Sequence, residues 1–189
     1  MASVPNTKAK ALAEGALLLQ RFGYEGFSFE DIAKKVGVRK QSLYVHFESK
    51  EALASELIEE YRNSLEAWTD AIASFKPEDQ IRAWFERLYK SAVEEYRYCS
   101  LAACASDYNS LPRSAKKNLT LAFADIHAWI LRVVEQGQKE KAFRRDLSAD
   151  ELAEMVLALG FGGQQMARLQ DNPDQLKRRQ QNVLKLLKG

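Results

Sequence analysis

The chain is predicted to be all-α, with about nine helices in two domains. Residues 1–48 form an N-terminal helix-turn-helix domain of three helices, and residues 49–189 form a C-terminal helical bundle that dimerises through its last two helices. Three observations predict this. Apolar residues recur at three- and four-residue spacing along most of the chain, and neither a strand pattern nor an internal repeat appears. Helix starts and stops are written in Ser, Pro and Gly at the ends of these runs. Between Ser28 and Phe47 a short amphipathic run, a Gly turn and a second short run follow one another.

Taken in order, residues 7–22 form the first helix, with Ala9, Leu12, Ala16 and Leu19 on one face. Asn6 or Thr7 caps it and Gly23 ends it. Ser28 caps the second, with Asp31 at the capping-box position and Phe29, Ile32, Ala33 and Val36 as its apolar face. Gly37 stops it. A third short helix begins near Arg39 or Lys40, and its Leu43 and Phe47, four apart, point inward. With Tyr24, Phe27 and Phe29, read as packing residues, they close a three-helix core. From Ser49 a long helix, residues 49–74, connects the two domains through Leu53, Leu57, Tyr61, Leu65, Trp68 and Ile72. Pro77 opens the next helix, expected to reach about Tyr98 with Ile81, Trp84, Phe85, Leu88 and Val93 mostly inward. Leu101 to Asn109 is short and helical. A long helix then runs from Pro112 to about Lys141 with Leu119, Phe123, Ile126, Ile130 and Val134 in register. Ser148 and Glu151 make a second capping box. The helix they open is parted from a last one, ending near Lys188, by Asn172-Pro173.

Composition bounds the function. With 46% hydrophobic residues, four prolines and nine glycines, the chain is an ordinary globular one. No apolar run approaches the ~20 residues that span a bilayer, and MASVPNTKAK lacks the apolar core of a signal peptide. A cytoplasmic protein without a membrane partner is expected. The net charge of +2 is unevenly placed: residues 1–50 carry eight Lys/Arg against five acids, and the remainder is near neutral. A basic end on a neutral body suits phosphate contact. His46, His127, Cys99 and Cys104 are scattered without ligand spacing, and no nucleophile stands beside a base, so no metal, cofactor or catalytic residue is expected.

The stretch from Leu12 to Leu53, with FGYEGFSFEDIAKKVGVRKQSLYVHFESKEAL inside it, resembles the DNA-binding domain of TetR-family transcriptional regulators. The resemblance implies an all-helical homodimer with an N-terminal operator-binding domain and a C-terminal effector-binding and dimerisation domain. Side chains on the third helix would read the major groove: Lys40, Gln41, Tyr44 and Val45, with Ser42 beside them. Gln41 suits an adenine edge and Val45 a thymine methyl. Members of the family often carry a small residue at Gln41 and an aromatic at Val45. Arg39 stands where a Ser or Thr cap is usual, which frees it for a phosphate or base. Ser28, Tyr44, His46 and Lys50 are the phosphate candidates.

The C-terminal half is rich in aromatics whose ordinary role is core. The resemblance implies a largely apolar effector pocket there, and Trp68, Trp84, Tyr96, Cys104, Tyr108, Phe123, His127, Phe161, Gln164 and Gln165 are its candidates. Cys99 and Cys104 lie five apart, about 140° around an unbroken helix, too divergent to pair. Inert buried thiols are the plain reading, and redox or electrophile sensing, as in some family members, is the alternative. The penultimate helix carries Leu152, Val156, Leu159, Gly163 and Met166, and the last carries Leu176, Val183, Leu184 and Leu187. They are read as half of a four-helix dimer interface. The glycines at 160, 162 and 163 fit the close approach of a partner helix, space for a ligand, or a kink. The functional expectation is a repressor released from a palindromic operator by a small-molecule effector. Its rivals are a non-specific architectural DNA protein and a helical enzyme.

Overall fold

The computed structural model describes residues 7–94 and 99–189. Among them there are nine α-helices and no strand. They are α1 Thr7–Phe22, α2 Phe29–Val36, α3 Lys40–Tyr44, α4 Lys50–Ala71, α5 Pro77–Val93, α6 Ser100–Ser106, α7 Arg113–Lys139, α8 Ala149–Leu169 and α9 Gln175–Lys188, with a 3-10 turn at Tyr108–Ser110. Both capping boxes form. The Ser28 hydroxyl oxygen accepts the Asp31 N–H while the Asp31 carboxylate takes the Ser28 N–H at 2.8 Å. Ser148 and Glu151 repeat the arrangement at α8. Ser49 caps α4 by accepting the Ala52 N–H at 3.1 Å.

Helices α1 to α3 close over Leu12, Leu19, Phe27, Phe29, Ile32, Leu43 and Phe47, all buried. The buried side of α1 is Ala11, Leu12, Gly15, Leu18 and Leu19. Ala9, expected on that face, is exposed because the face is centred one residue further round. In the rest of the chain α7 packs on α4 and α8, α9 lies on α8 and α5, and Trp84, Phe85, Ile126 and Ile130 fill the space between. α1 also packs on α6, and this ties the two halves together. The Asp107 carboxylate accepts the Tyr24 N–H at 2.7 Å just past Gly23, whose φ of +75° ends α1. Arg168 donates to the carbonyl of Arg21 at 2.8 Å.

Two helix ends differ from expectation. α4 stops at Ala71, where the chain tightens into a turn whose Ala73 and Phe75 carbonyls accept the buried Gln80 amide. α5 stops at Val93, which is exposed rather than inward. The rest of its expected length, to Tyr98, lies outside the described residues.

Candidate nucleic-acid interface

The geometry of the candidate reading helix follows from its anchors. Gly37, at φ +79°, takes the left-handed conformation that ends α2, and its N–H and that of Val38 both donate to the Ala33 carbonyl. α3 is only five residues long and is held by two side chains. Leu43 and Phe47 are buried, and the Leu43 carbonyl accepts the N–H of His46 and of Phe47. With those two turned inward, Arg39, Lys40, Gln41, Tyr44, Val45 and His46 are exposed and Ser42 is half-buried. Val45 is 81% exposed, an uncovered apolar side chain on a polar surface. Tyr44 is exposed, with its ring 5.1 Å from that of Phe29. Arg39 occupies the N-cap position of α3, where its guanidinium, a donor only, makes no side-chain cap while its carbonyl accepts the Ser42 N–H.

The two flanking candidates are engaged within the protein. The Ser28 hydroxyl bonds the Asp31 carboxylate at 2.7 Å, and that bond, with the Ser28 N–H, holds the Asp31 carboxyl below its ordinary range. The Lys50 ammonium sits 4.4 Å from the Tyr24 ring centre and 4.8 Å from that of Phe27. Partial burial pulls its pKa down, against the favourable fields of Glu25, Asp107 and Asp31. Both residues border α3 but are already tied to neighbours.

The ten pocket candidates do not share one cavity. Trp68 lines a cavity of about 550 Å³ between α4 and α5, walled by Ala16 and Gln20 of α1 and by Cys99 and Ser100 at the start of α6. Phe123, His127 and Phe161 line a shallow apolar recess between α7 and α8 instead. Trp84 is buried core: its ring fills the space beside Gly160, where a Cβ would lie 2.2 Å from the ring. Tyr108 is exposed on the 3-10 turn under the Lys116 ammonium, and Cys104 is buried within α6. These three therefore do not line the cavity. Gln164 is fully buried with neither end of its amide hydrogen-bonded, and Gln165 reaches toward the Ala102 carbonyl at 3.5 Å. Tyr96 lies outside the described residues.

Of the cavity's other polar residues, Tyr61, Ser64 and Arg87 were not among the pocket candidates read from the sequence. The Tyr61 hydroxyl and the Cys99 sulfur are 3.2 Å apart. Arg87 lies over the Trp68 ring at 5.2 Å and donates to the Ser64 hydroxyl at 3.3 Å. Tyr61, Ser64 and Trp68 come from α4, and Arg87 and Cys99 lie more than twenty residues from the α4 hydroxyls they meet, so packing brings the two sides together. Burial pushes the Cys99 thiol up, against weaker downward pulls from Tyr61 and Arg87, and pushes Cys104 up to about 12. Neither thiol has the depressed pKa of a reactive cysteine.

The dimer candidates need correction. Leu152, Val156, Gly163, Leu176, Val183 and Leu187 are buried inside the protomer, where α8 and α9 pack on α5 and α7. A residue already covered by its own chain cannot be covered again by a partner. Leu159 is half-buried and Met166 is exposed. The uncovered side of α8 is a different stripe: Met155, Leu159, Gly162, Met166 and Leu169, spaced four, three, four, three, with Leu169 86% exposed.

Comparison with known proteins agrees with this architecture. The family described as "Bacterial regulatory proteins, tetR family" matches residues 11–57, and "Tetracyclin repressor-like, C-terminal domain" matches residues 77–183. The transcriptional repressor DhaR of Mycobacterium sp. (strain GP1) is 24% identical over 179 residues, 93% of this chain and 89% of that one. IcaR of Staphylococcus aureus, a negative regulator of a biofilm operon, is 34% identical over 61 residues, 31% of this chain and 33% of its own. A TetR-family regulator from Agrobacterium tumefaciens superposes with a TM-score of 0.92 at 25% identity, over 97% of this chain and 98% of that one. One from Legionella pneumophila does so at 0.88 and 28%, over 98% and 99%. A fold that holds α3 clear of its own core, in a chain matched from α1 to α9, has one identity: this protein belongs to the TetR family of DNA-binding transcriptional regulators.

Proposed function

We propose that the chain is a homodimeric repressor that grips a palindromic operator with α3 of each protomer and releases it when a small organic effector binds in the C-terminal domain, residues 49–189. One observation carries this reading: Arg39, Lys40, Gln41 and Val45 project into solvent from a five-residue helix pinned by Leu43 and Phe47. In that placement Gln41 and Val45 meet base edges while Arg39, Lys40 and His46 meet phosphates. The outward stripe of α8 suits a second copy, since two such stripes related by a dyad bury one another. A dimer sets the separation of the two reading helices, and that separation decides whether they enter successive grooves. An effector shifts the equilibrium between spacings by its differential affinity for them. α4, whose first turn begins beside the reading helix and whose last turns line the cavity, is the element to transmit the shift.

The test is selection of bound duplexes from a random pool at several salt concentrations. Two inverted half-sites, centred one DNA turn or more apart, are the expected product. A pool enriched for no sequence at any salt would overturn the reading in favour of an architectural DNA protein.

A further inference from the structure

We infer that the cavity between α4 and α5 takes a small organic carboxylate, with an aromatic body against Leu57 and Trp68 and its charged end on the Arg87 guanidinium. This rests on the reading of the C-terminal domain as effector-binding, and it names the class of ligand.

The carrying observation is Arg87. It is half-buried, and its contacts are the face of Trp68 at 5.2 Å and one long hydrogen bond to Ser64. Among the described residues no carboxylate pairs with it, although Arg62, Arg82 and Arg144 each do pair with one. A guanidinium has five donors in a planar fork that matches a carboxylate. One of them is used. A cation drawn partly out of water without a counter-ion is costly unless a ligand supplies the charge.

The surroundings fit an anion with an apolar body. Trp68, Leu57, Leu88 and Ala83 supply the apolar wall, and the cavity volume of about 550 Å³ is in the range of small-molecule sites. The Tyr61 and Ser64 hydroxyls line the cavity from α4, and Arg87 lines it from α5. Tyr61 and Cys99 both feel the positive field of Arg87, which opposes the upward push of burial on each. Glu60, Glu86 and Glu94 also line the cavity, but they are exposed, as is Lys90, so solvent and salt screen them. Among the charged lining residues Arg87 is the half-buried one. Because Ala16 and Gln20 of α1 form part of the wall, a ligand that fills the cavity touches the helix on which α2 and α3 pack.

The experiment compares three probes with one ring system: naphthylacetate, naphthylacetamide and naphthylmethylamine. Binding to the 189-residue chain is followed by calorimetry. Naphthylacetate is expected to bind at least about tenfold more tightly than the amide or the amine. Arg87→Gln should bring the acid down to the amide, while Arg87→Lys keeps part of the preference. Amide or amine binding as tight as the acid overturns the inference on the wild type alone, so it does not depend on the variants folding. Absence of acid binding at millimolar concentration, or a preference retained in folded Arg87→Gln, also overturns it. Operator affinity is measured separately. An acid that binds without changing operator affinity leaves the ligand class standing and removes the release mechanism. A neutral or cationic compound that releases the operator, with no binding of the acid, does the reverse.

Discussion

At the scale of single residues, the contacts proposed for α3 differ in kind and are separable. Lys40 is an exposed point charge on the helix's first position, and Gln41 is an exposed amide able to make a two-pronged contact with adenine. Lys40→Ala should weaken binding to all duplexes about equally and lower the salt slope by about one unit. Gln41→Ala should cost about 1–3 kcal/mol on the preferred base and relax selection at one position only. Competition binding across a salt series checks both. The cysteines carry a third prediction. With its pKa raised to about 12 from an ordinary 9.0, folded Cys104 keeps a proton that the unfolded chain loses in between. Its contribution to stability is therefore full below pH 9 and lost progressively as the pH rises toward 12. At pH 8 iodoacetamide should alkylate Cys104 at least about a hundredfold more slowly in the native protein than in urea, read by mass spectrometry. The exposed row on α3 was legible in the sequence because Leu43 and Phe47, four apart, determine which way so short a helix faces. Arg87 was not. On its helix it is one more charged residue, and only packing places it in the cavity over the Trp68 ring.

At the scale of elements, α8 shows why one glycine cluster has several explanations at once. Gly160 admits the Trp84 ring from α5, and Gly163 admits Arg179 and Leu176 from α9. Gly162 faces open space within the outward stripe. The close approaches the cluster predicts are real, but two of the three are made within the chain. Gly160→Ala is expected to destabilise the fold by about 1–3 kcal/mol, since the new Cβ would lie 2.2 Å from a ring locked between α7 and α8. Urea unfolding at constant protein concentration measures it. Capping boxes, by contrast, were plain from residue types three apart, because the whole device is local.

At the scale of the whole molecule, α1 joins the two halves: it packs on α6 and α4, and Asp107 and Arg168 hold its end from the side of α6 and α8. The reading helix is thereby referred to the body of the protein. Its separation from a second copy would depend on the surface where the bodies meet. Met166→Glu places a charge within the outward stripe of α8. It is expected to convert the protein to a monomer in sedimentation, with the helical circular dichroism unchanged. Affinity for a two-half-site operator should drop by at least about tenfold while affinity for one half-site stays.

Taken by itself, the sequence determined that the chain is helical, where most helices begin and end, and which residues of and beside the third helix are left exposed. These depend on side chains within four positions of one another, so local spacing encodes them. Only the tertiary structure decided what each apolar face meets. α8 is apolar on two sides, and nothing in its residue types separates Leu152 and Val156, which its own chain buries, from Met155, Met166 and Leu169, which it leaves exposed. Hydrophobic burial has no direction of its own. Its partner is chosen by how the helices pack, and the same packing leaves a cavity between α4 and α5 that Arg87 lines.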